Sequence, residues 1–164
     1  MTDQISSPVS ELFDRLGISY QWIDIPLDPE RKPIRTLEEL VGHRGMKPDQ
    51  IVRSLLFRTG SGDFILLAAP AGARADWGGL RKHLGERRLT MADFDEVLEA
   101  TGYPVGAVPP VALPPSVRCL VDEGVFRHGE VIIGSGVLGH ALALGSEDLR
   151  QALGEAETGC FVKE

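Results

Sequence analysis

Hydrophobic positions change period several times along this chain, and each change marks a new element. Val9, Leu12, Phe13 and Leu16 follow the helical repeat. Ser7 stands ready as a cap, Pro8 suits a first turn and Gly17 suits an end, so "SSPVSELFDRLG" predicts a helix. "ISYQWIDI" reads as a strand of mixed polarity, followed by the polar loop "PLDPERKPIR". Thr36 and Glu39 form a capping box that opens a short helix to Arg44, with Gly45 as its stop. "IVRSLLFRTGSGDFILLAAP" is the strongest hairpin signal, two apolar runs flanking Gly60, Ser61, Gly62 and Asp63.

The second half alternates shorter elements. "DWGGLRKHLG" predicts a helix capped by Asp76 and weakened by Gly78 and Gly79. "RRLT" reads as a short strand. Asp93 and Glu96 cap a helix over "FDEVLEAT" that stops at Gly102. A proline-rich loop, "TGYPVGAVPPVALPPS", comes next. "VRCLVD", "EVIIG" and "HALAL" read as three strands, and Ser146 as the cap of a last helix, "EDLRQALG". Helices and strands are mixed, and several neighbouring strands are joined by short turns. The expected class is α+β, with a mixed, mostly antiparallel central sheet flanked by helices.

Length and composition narrow the classes. The 164 residues suit one domain, and 43% hydrophobic with 25% charged residues is ordinary for a folded chain. There is no apolar run long enough for a membrane span. "MTDQISSPVS" lacks a basic, apolar leader pattern, and the two cysteines, Cys119 and Cys160, form no CxxC. A cytoplasmic protein with reduced thiols is the expectation. A net charge of −7 argues against broad binding to nucleic acid, DNA included. Yet Arg74, Arg81, Lys82, Arg87 and Arg88 concentrate positive charge in one stretch. That stretch is either a solvated helix face or a local phosphate patch.

Familiar motifs mostly fail in context. "GSGVLG" at 134–139 is a literal GxGxxG after a strand, but "HALALG" follows it and is strand-like. A tight hairpin turn that sets backbone N–H groups beside a ligand is the better reading. The four histidines show no metal-ligand spacing, and no hydrolase elbow is present. Cys119 sits in an apolar strand and reads as a small buried hydrophobe rather than a nucleophile. Arg53 interrupts an apolar strand. It either shares an outer face with Leu55 and Phe57 or faces a cleft. Asp122 either caps the turn after its strand or enters the same cleft.

The order "IVRSLLF", "TGYPVGAVPP", "CLVDEGV", "VIIGSGVLGHALALGSEDL" resembles the YbaK/prolyl-tRNA-synthetase-associated domain family. The likeness runs from about the first helix to Leu149. It is most specific at 102–110 and 131–149. The family's members hydrolyse wrongly charged aminoacyl-tRNA, either free-standing or inserted in a synthetase. The resemblance therefore implies a trans-editing deacylase acting on small amino acids, such as alanine or cysteine, attached to tRNA for proline. The alternative is a non-catalytic module of the same fold that binds aminoacyl-tRNA or a synthetase. It implies aminoacyl-tRNA as partner, a synthetase as a second candidate partner, and no metal or organic cofactor.

The family's Gly-x-x-x-Pro loop falls on Gly106, Ala107, Val108, Pro109 and Pro110. By resemblance, that loop and the turn of Gly134, Ser135 and Gly136 hold the aminoacyl group or a developing oxyanion. Arg53 and Gly106 are the implied catalytic positions, Asp122 a candidate for the substrate ammonium group, and the 74–88 basic stretch a candidate acceptor-stem contact. Two departures stand out. The family typically has Lys where Arg53 stands, and Arg keeps the charge but does not serve as a proton acceptor. Relatives often carry a basic residue in the turn where this chain has Val137 and Leu138.

Overall fold

A computed structural model describes residues 5–163. The first four residues of the stretch read for a leader therefore lie outside it. The elements are α1 (Pro8–Leu16), β1 (Tyr20–Asp24), α2 (Leu37–His43), β2 (Val52–Thr59), β3 (Phe64–Pro70), β4 (Arg74–Ala75), α3 (Trp77–Leu84), β5 (Leu89–Met91), α4 (Phe94–Thr101), β6 (Val117–Asp122), β7 (Glu130–Gly134), β8 (His140–Gly145), α5 (Ser146–Leu153), β9 (Glu157–Gly159) and β10 (Val162–Lys163). Short 3-10 turns precede β2 and follow β6. The class is α+β, as expected.

Local chemistry sets most helix ends. Ser7 Oγ accepts from the Ser10 N–H at 3.2 Å, Ser10 Oγ accepts from the Ser7 N–H at 2.9 Å, and Gly17 closes α1 in the left-handed region. Asp93 and Glu96 make the full reciprocal box of α4. In α2 only the Thr36 half of the box forms. The glycines of α3 prove useful rather than merely weakening. Asp76 caps the helix through the Gly79 N–H, and a Cβ at Gly79 would stand 2.6 Å from that carboxylate. One cap is corrected: α5 is preceded by Gly145, and Ser146 is its first residue, buried and without a capping bond. Leu16 is also more exposed than its place in the apolar pattern predicts.

The strands make a five-stranded sheet in the order β5-β2-β3-β6-β9, a three-stranded sheet β1-β8-β7, and the small pair β10-β4. The smaller sheets are antiparallel, but β3-β6 and β6-β9 pair parallel. β6 and β7, neighbours in sequence, thus belong to different sheets. Residues of even number on β2 and β3, with α1, α5 and the inner face of β7-β8, bury one core: Phe13, Leu56, Leu66, Val131, Leu142 and Leu149 among them. The odd face, with Phe57, Leu67 and Leu120, packs under Leu80 of α3 and Phe161. The far face of the small sheet packs on Val41 of α2. Both faces of each larger sheet are therefore covered. No helix among the described residues is long and apolar enough to cross a membrane.

Candidate functional site

β2 has one paired edge and one interrupted edge, and the interruption makes the site. Along its outer edge only Phe57 to Thr59 pair with β5, and Ile51 bridges to Ile132 of β7. Between these points the strand edge is open. Ala92 N–H donates to the Leu56 carbonyl, so even-numbered residues direct their peptide groups outward. By the same alternation, the Ser54 N–H and C=O point into the gap. A cavity of about 340 Å³ fills it, large enough for a small-molecule group.

Several separated segments wall the cavity. Val52, Arg53, Ser54 and Leu56 come from β2, Gly106 and Val108 from the proline-rich loop, Gly134 and His140 from the facing ends of β7 and β8, and Leu37 from α2. Most of the lining is apolar, with Ile25, Ile51, Val97 and Ile133 adding to it. Arg53 keeps its guanidinium exposed at the cavity and pairs with the Glu38 carboxylate. The two readings of its face combine: Arg53, Leu55 and Phe57 do share the odd face of β2, yet Phe57 is buried there beneath Trp77, in an edge-to-face contact of 5.0 Å.

The proline-rich loop is held from both sides. Gly136 N–H donates to the Ala107 carbonyl at 2.8 Å, and the Tyr103 hydroxyl donates to the Ala112 carbonyl at 2.7 Å. Ala107, Pro109 and Pro110 are buried. The loop backbone lies directly on Gly134, where an added Cβ would come within 2.3 Å of the Val108 oxygen. Gly106 has a φ of +97°, a region that favours glycine, and Leu138 rests 3.5 Å from where its Cβ would be. Leu138, at the turn where the resemblance led us to expect a basic residue, is thus an apolar cover over the loop.

Other predicted positions are placed elsewhere. Pro109 does not line the cavity, and Pro110 borders a separate cleft with Cys119. Ser135 is fully buried and spends its hydroxyl on the carbonyls of Val137 and His140. Gly136 stacks closely on the Tyr103 ring. Asp122 is buried at the end of β6, away from the cavity lining. Its two oxygens accept from the N–H groups of Phe161 and Gly124, at 2.8 and 2.9 Å, so it caps the turn and ties the chain end. Cys119 has its thiol pushed up to about 11, mainly by burial, which suits a packing residue and not a nucleophile.

The five basic residues lie at different places on the fold. Arg74 borders a cleft with Asp49, Asp122 and Lys163, and Lys82 borders another with His83 and Phe161. Arg81 is half-buried on α3. Arg87 and Arg88 are exposed, immediately before β5.

Two polar cavity residues, and one neighbour that pairs with Arg53, escaped the sequence reading. Ser54 Oγ is buried without a hydrogen-bond partner, which is costly unless a ligand supplies one. His140 stands at the cavity with Nδ1 3.1 Å from an Asp24 oxygen, though not aligned as a hydrogen bond. Its position as first residue after the glycine turn was the available signal. Glu38, read only as part of a helix, holds Arg53.

Comparison with known proteins agrees with this geometry. A family model described as an aminoacyl-tRNA editing domain matches residues 31–152. The chain is 34% identical over 105 residues to a proline–tRNA ligase of Kosmotoga olearia, a match covering 64% of this chain and 18% of that one. It is 29% identical over 101 residues to the ligase of Thermosipho melanesiensis, covering 62% and 18%. The chain thus aligns with under a fifth of the length of these relatives. Among solved structures, a hypothetical protein superposes with a TM-score of 0.81 at 28% identity, over 96% of this chain and all of that one. A candidate trans-editing enzyme for prolyl tRNA synthetase shares the fold, at a TM-score of 0.78 and 24% identity over 98% of this chain and all of that one. With three quarters of its sequence inside the matched region and the site built from that same region, the chain belongs to the aminoacyl-tRNA editing domain family.

Proposed function

We propose that this protein is a cytoplasmic trans-editing deacylase, hydrolysing small amino acids such as alanine or cysteine from tRNA for proline. The observation that carries the reading is the cavity itself. It combines one exposed guanidinium, a buried unpartnered hydroxyl and outward-facing peptide groups within an otherwise apolar enclosure. An aminoacyl ester offers a carbonyl for the donors and a compact side chain for the apolar wall.

Ser54 and His140 both line the cavity, but the Ser54 hydroxyl is bonded to no base among the described residues, so the reaction rests on positioning and electrostatics. A water attacks the ester carbonyl carbon and gives a tetrahedral oxyanion. The bond to the ribose 3′ oxygen then breaks, that oxygen takes up the proton given up by the attacking water, and the free amino acid leaves. A neighbouring ribose hydroxyl orients the water. Ser54 and the backbone N–H groups of Gly106 and Val108 supply donors to the acyl oxygen, each such donor being worth about 10²–10³ in rate in well-studied sites. Arg53 binds the carbonyl oxygen or the terminal phosphate. Its charge is shared with Glu38, so substrate binding requires that pair to open or to bridge. Pocket shape sets amino-acid choice, and an apolar wall rejects larger side chains better than near-isosteres.

A panel of mischarged and correctly charged aminoacyl-tRNAs tests this reading. Release of alanine or cysteine from tRNA for proline, with Pro-tRNA left intact, is the expected result. Salt-sensitive tRNA binding with no hydrolysis anywhere in the panel would instead support a non-catalytic binding module.

A further inference from the structure

The cavity opens beside an apolar rim that the proposed hydrolysis does not use. Phe94 is 75% exposed, Met91 48% and Val105 39%, and all three line the cavity. Leu98, one helical turn beyond Phe94 on α4, is 52% exposed. Folding places no partner on these side chains among the described residues, while Val97 of the same helix is buried. A phenylalanine this exposed at the mouth of a site is a surface for something that arrives with the substrate.

The surroundings select the occupant. The exposed pair Arg87 and Arg88 leads directly into β5, which ends at Met91 on the rim. At about 3.3 Å per residue the Arg88 backbone stands roughly 10 Å from Met91. An aromatic face beside a short cationic approach is the arrangement that holds single-stranded nucleic acid. The acidic residues of α4 sharpen the direction. Glu96 is engaged by Arg58 at 2.8 Å, but Asp95 and Glu99 are exposed and repel phosphate. The strand's bases therefore meet α4, and its phosphates run toward Arg87 and Arg88.

Building on the editing reading above, we propose that Phe94, flanked by Met91 and Leu98, is a stacking platform for an unpaired base at the 3′ end of the tRNA. The platform holds the base outside the cavity while the aminoacyl ester reaches inside. Phe94 acts as a positioning and affinity residue. Nothing in its side chain takes part in bond making.

The test uses a tRNA with 2-aminopurine, a fluorescent adenine analogue quenched by stacking, as its terminal base, together with steady-state deacylation. Wild-type protein is expected to quench the fluorophore. Phe94→Ala abolishes the quench and raises KM about 5- to 100-fold, with the loss in KM rather than kcat. Phe94→Trp restores both readouts, and Phe94→Leu does not. Wild-type behaviour of Phe94→Leu overturns stacking in favour of a merely apolar contact. Wild-type behaviour of Phe94→Ala overturns the platform altogether. A retained quench with lost binding to prolyl-tRNA synthetase assigns the rim to a protein partner and also overturns it. The quench reads binding, so it decides the matter even where the wild-type protein hydrolyses nothing and the editing reading fails.

Discussion

Substituting Gly134→Ala tests whether the loop and the turn form one working unit. Gly134 does not need its freedom for a left-handed backbone. It is required because the loop backbone crosses it. An added Cβ would lie 2.3 Å from the Val108 oxygen, 2.7 Å from the Val108 carbonyl carbon and 3.0 Å from the Ala107 oxygen. Non-bonded carbon contacts are comfortable only beyond about 3.5 Å. The loop must therefore retreat by about 1 Å. All three obstacles are backbone atoms, so no side-chain rotation relieves them.

The retreat has two costs. Overpacking of this kind typically destabilises by about 1–3 kcal/mol. The loop's bond from Gly136 N–H to the Ala107 carbonyl, 2.8 Å long, is strained or lost, for about 1 kcal/mol more. For a chain of this size the sum lowers Tm by about 5–15 °C. Catalysis should suffer more, because a displacement of about 1 Å in a positioning group costs about 10²-fold. Thermal melting by circular dichroism and deacylation of the substrate found in the aminoacyl-tRNA panel measure the two effects. Gly129→Ala is the control, since a Cβ there meets open space and its φ is not in the left-handed region. A Gly134→Ala protein with wild-type Tm would refute the packing argument. A lowered Tm with unchanged kcat/KM at low temperature would show that the loop is structural and plays no part in the chemistry.

Three further substitutions separate charge, bracing and pH. Arg53→Ala should abolish deacylation while leaving Tm within about 1 °C, because the side chain is exposed and its one ion pair is partly solvated; retained activity removes Arg53 from the mechanism. Asp122→Ala should lower stability by about 2–4 kcal/mol by orphaning the N–H groups of Phe161 and Gly124, yet spare the activity of the folded fraction. A selective rise in KM in that variant would instead return Asp122 to substrate binding. Glu157 has its carboxyl held down at about 2, first by hydrogen bonds from Arg118 at 2.6 and 2.8 Å, with His83 assisting. Its contribution is full above the ordinary carboxylate range and is lost as pH falls toward 2. With the side chain 39% exposed, screening reduces that contribution to about 1 kcal/mol. Glu157→Gln should therefore be less stable than wild type at pH 6 and equal to it near pH 2, in urea titrations at the two values.

What the sequence made legible follows the distance over which each feature is determined. Caps at Ser7, Asp76 and Asp93 are decided within three residues, and all three form. The hairpin of β2 and β3 is decided within four, and its register runs from Val52 opposite Pro70 to Arg58 opposite Phe64. The partition of β6 and β7 into different sheets is decided by β3, whose parallel pairing with β6 crosses two helices, β4, β5 and the whole proline-rich loop. No local pattern carries that information. β9, three residues long, was invisible for the same reason: its place depends on a parallel partner, Leu120 to Asp122, far back in the chain.

The site divides along the same line. Arg53 stood out as a charge in an apolar strand and Gly134 as part of a glycine turn, Gly106 and Val108 came from a family likeness, and the cavity brings all four together. Ser54 and His140 were missed because their residue types are unremarkable in a strand or after a turn. What distinguishes them is an unmatched hydroxyl and a shared wall, both properties of the folded state. Phe94 shows the limit from the other side. In "FDEVLEAT" an apolar residue four positions from Leu98 looks like the buried stripe of an amphipathic helix. The fold buries Val97 instead and turns Phe94 and Leu98 outward. A hydrophobic stripe in sequence therefore gives the face that avoids water but not what covers it. For α4, the cover we propose is the substrate's own unpaired end.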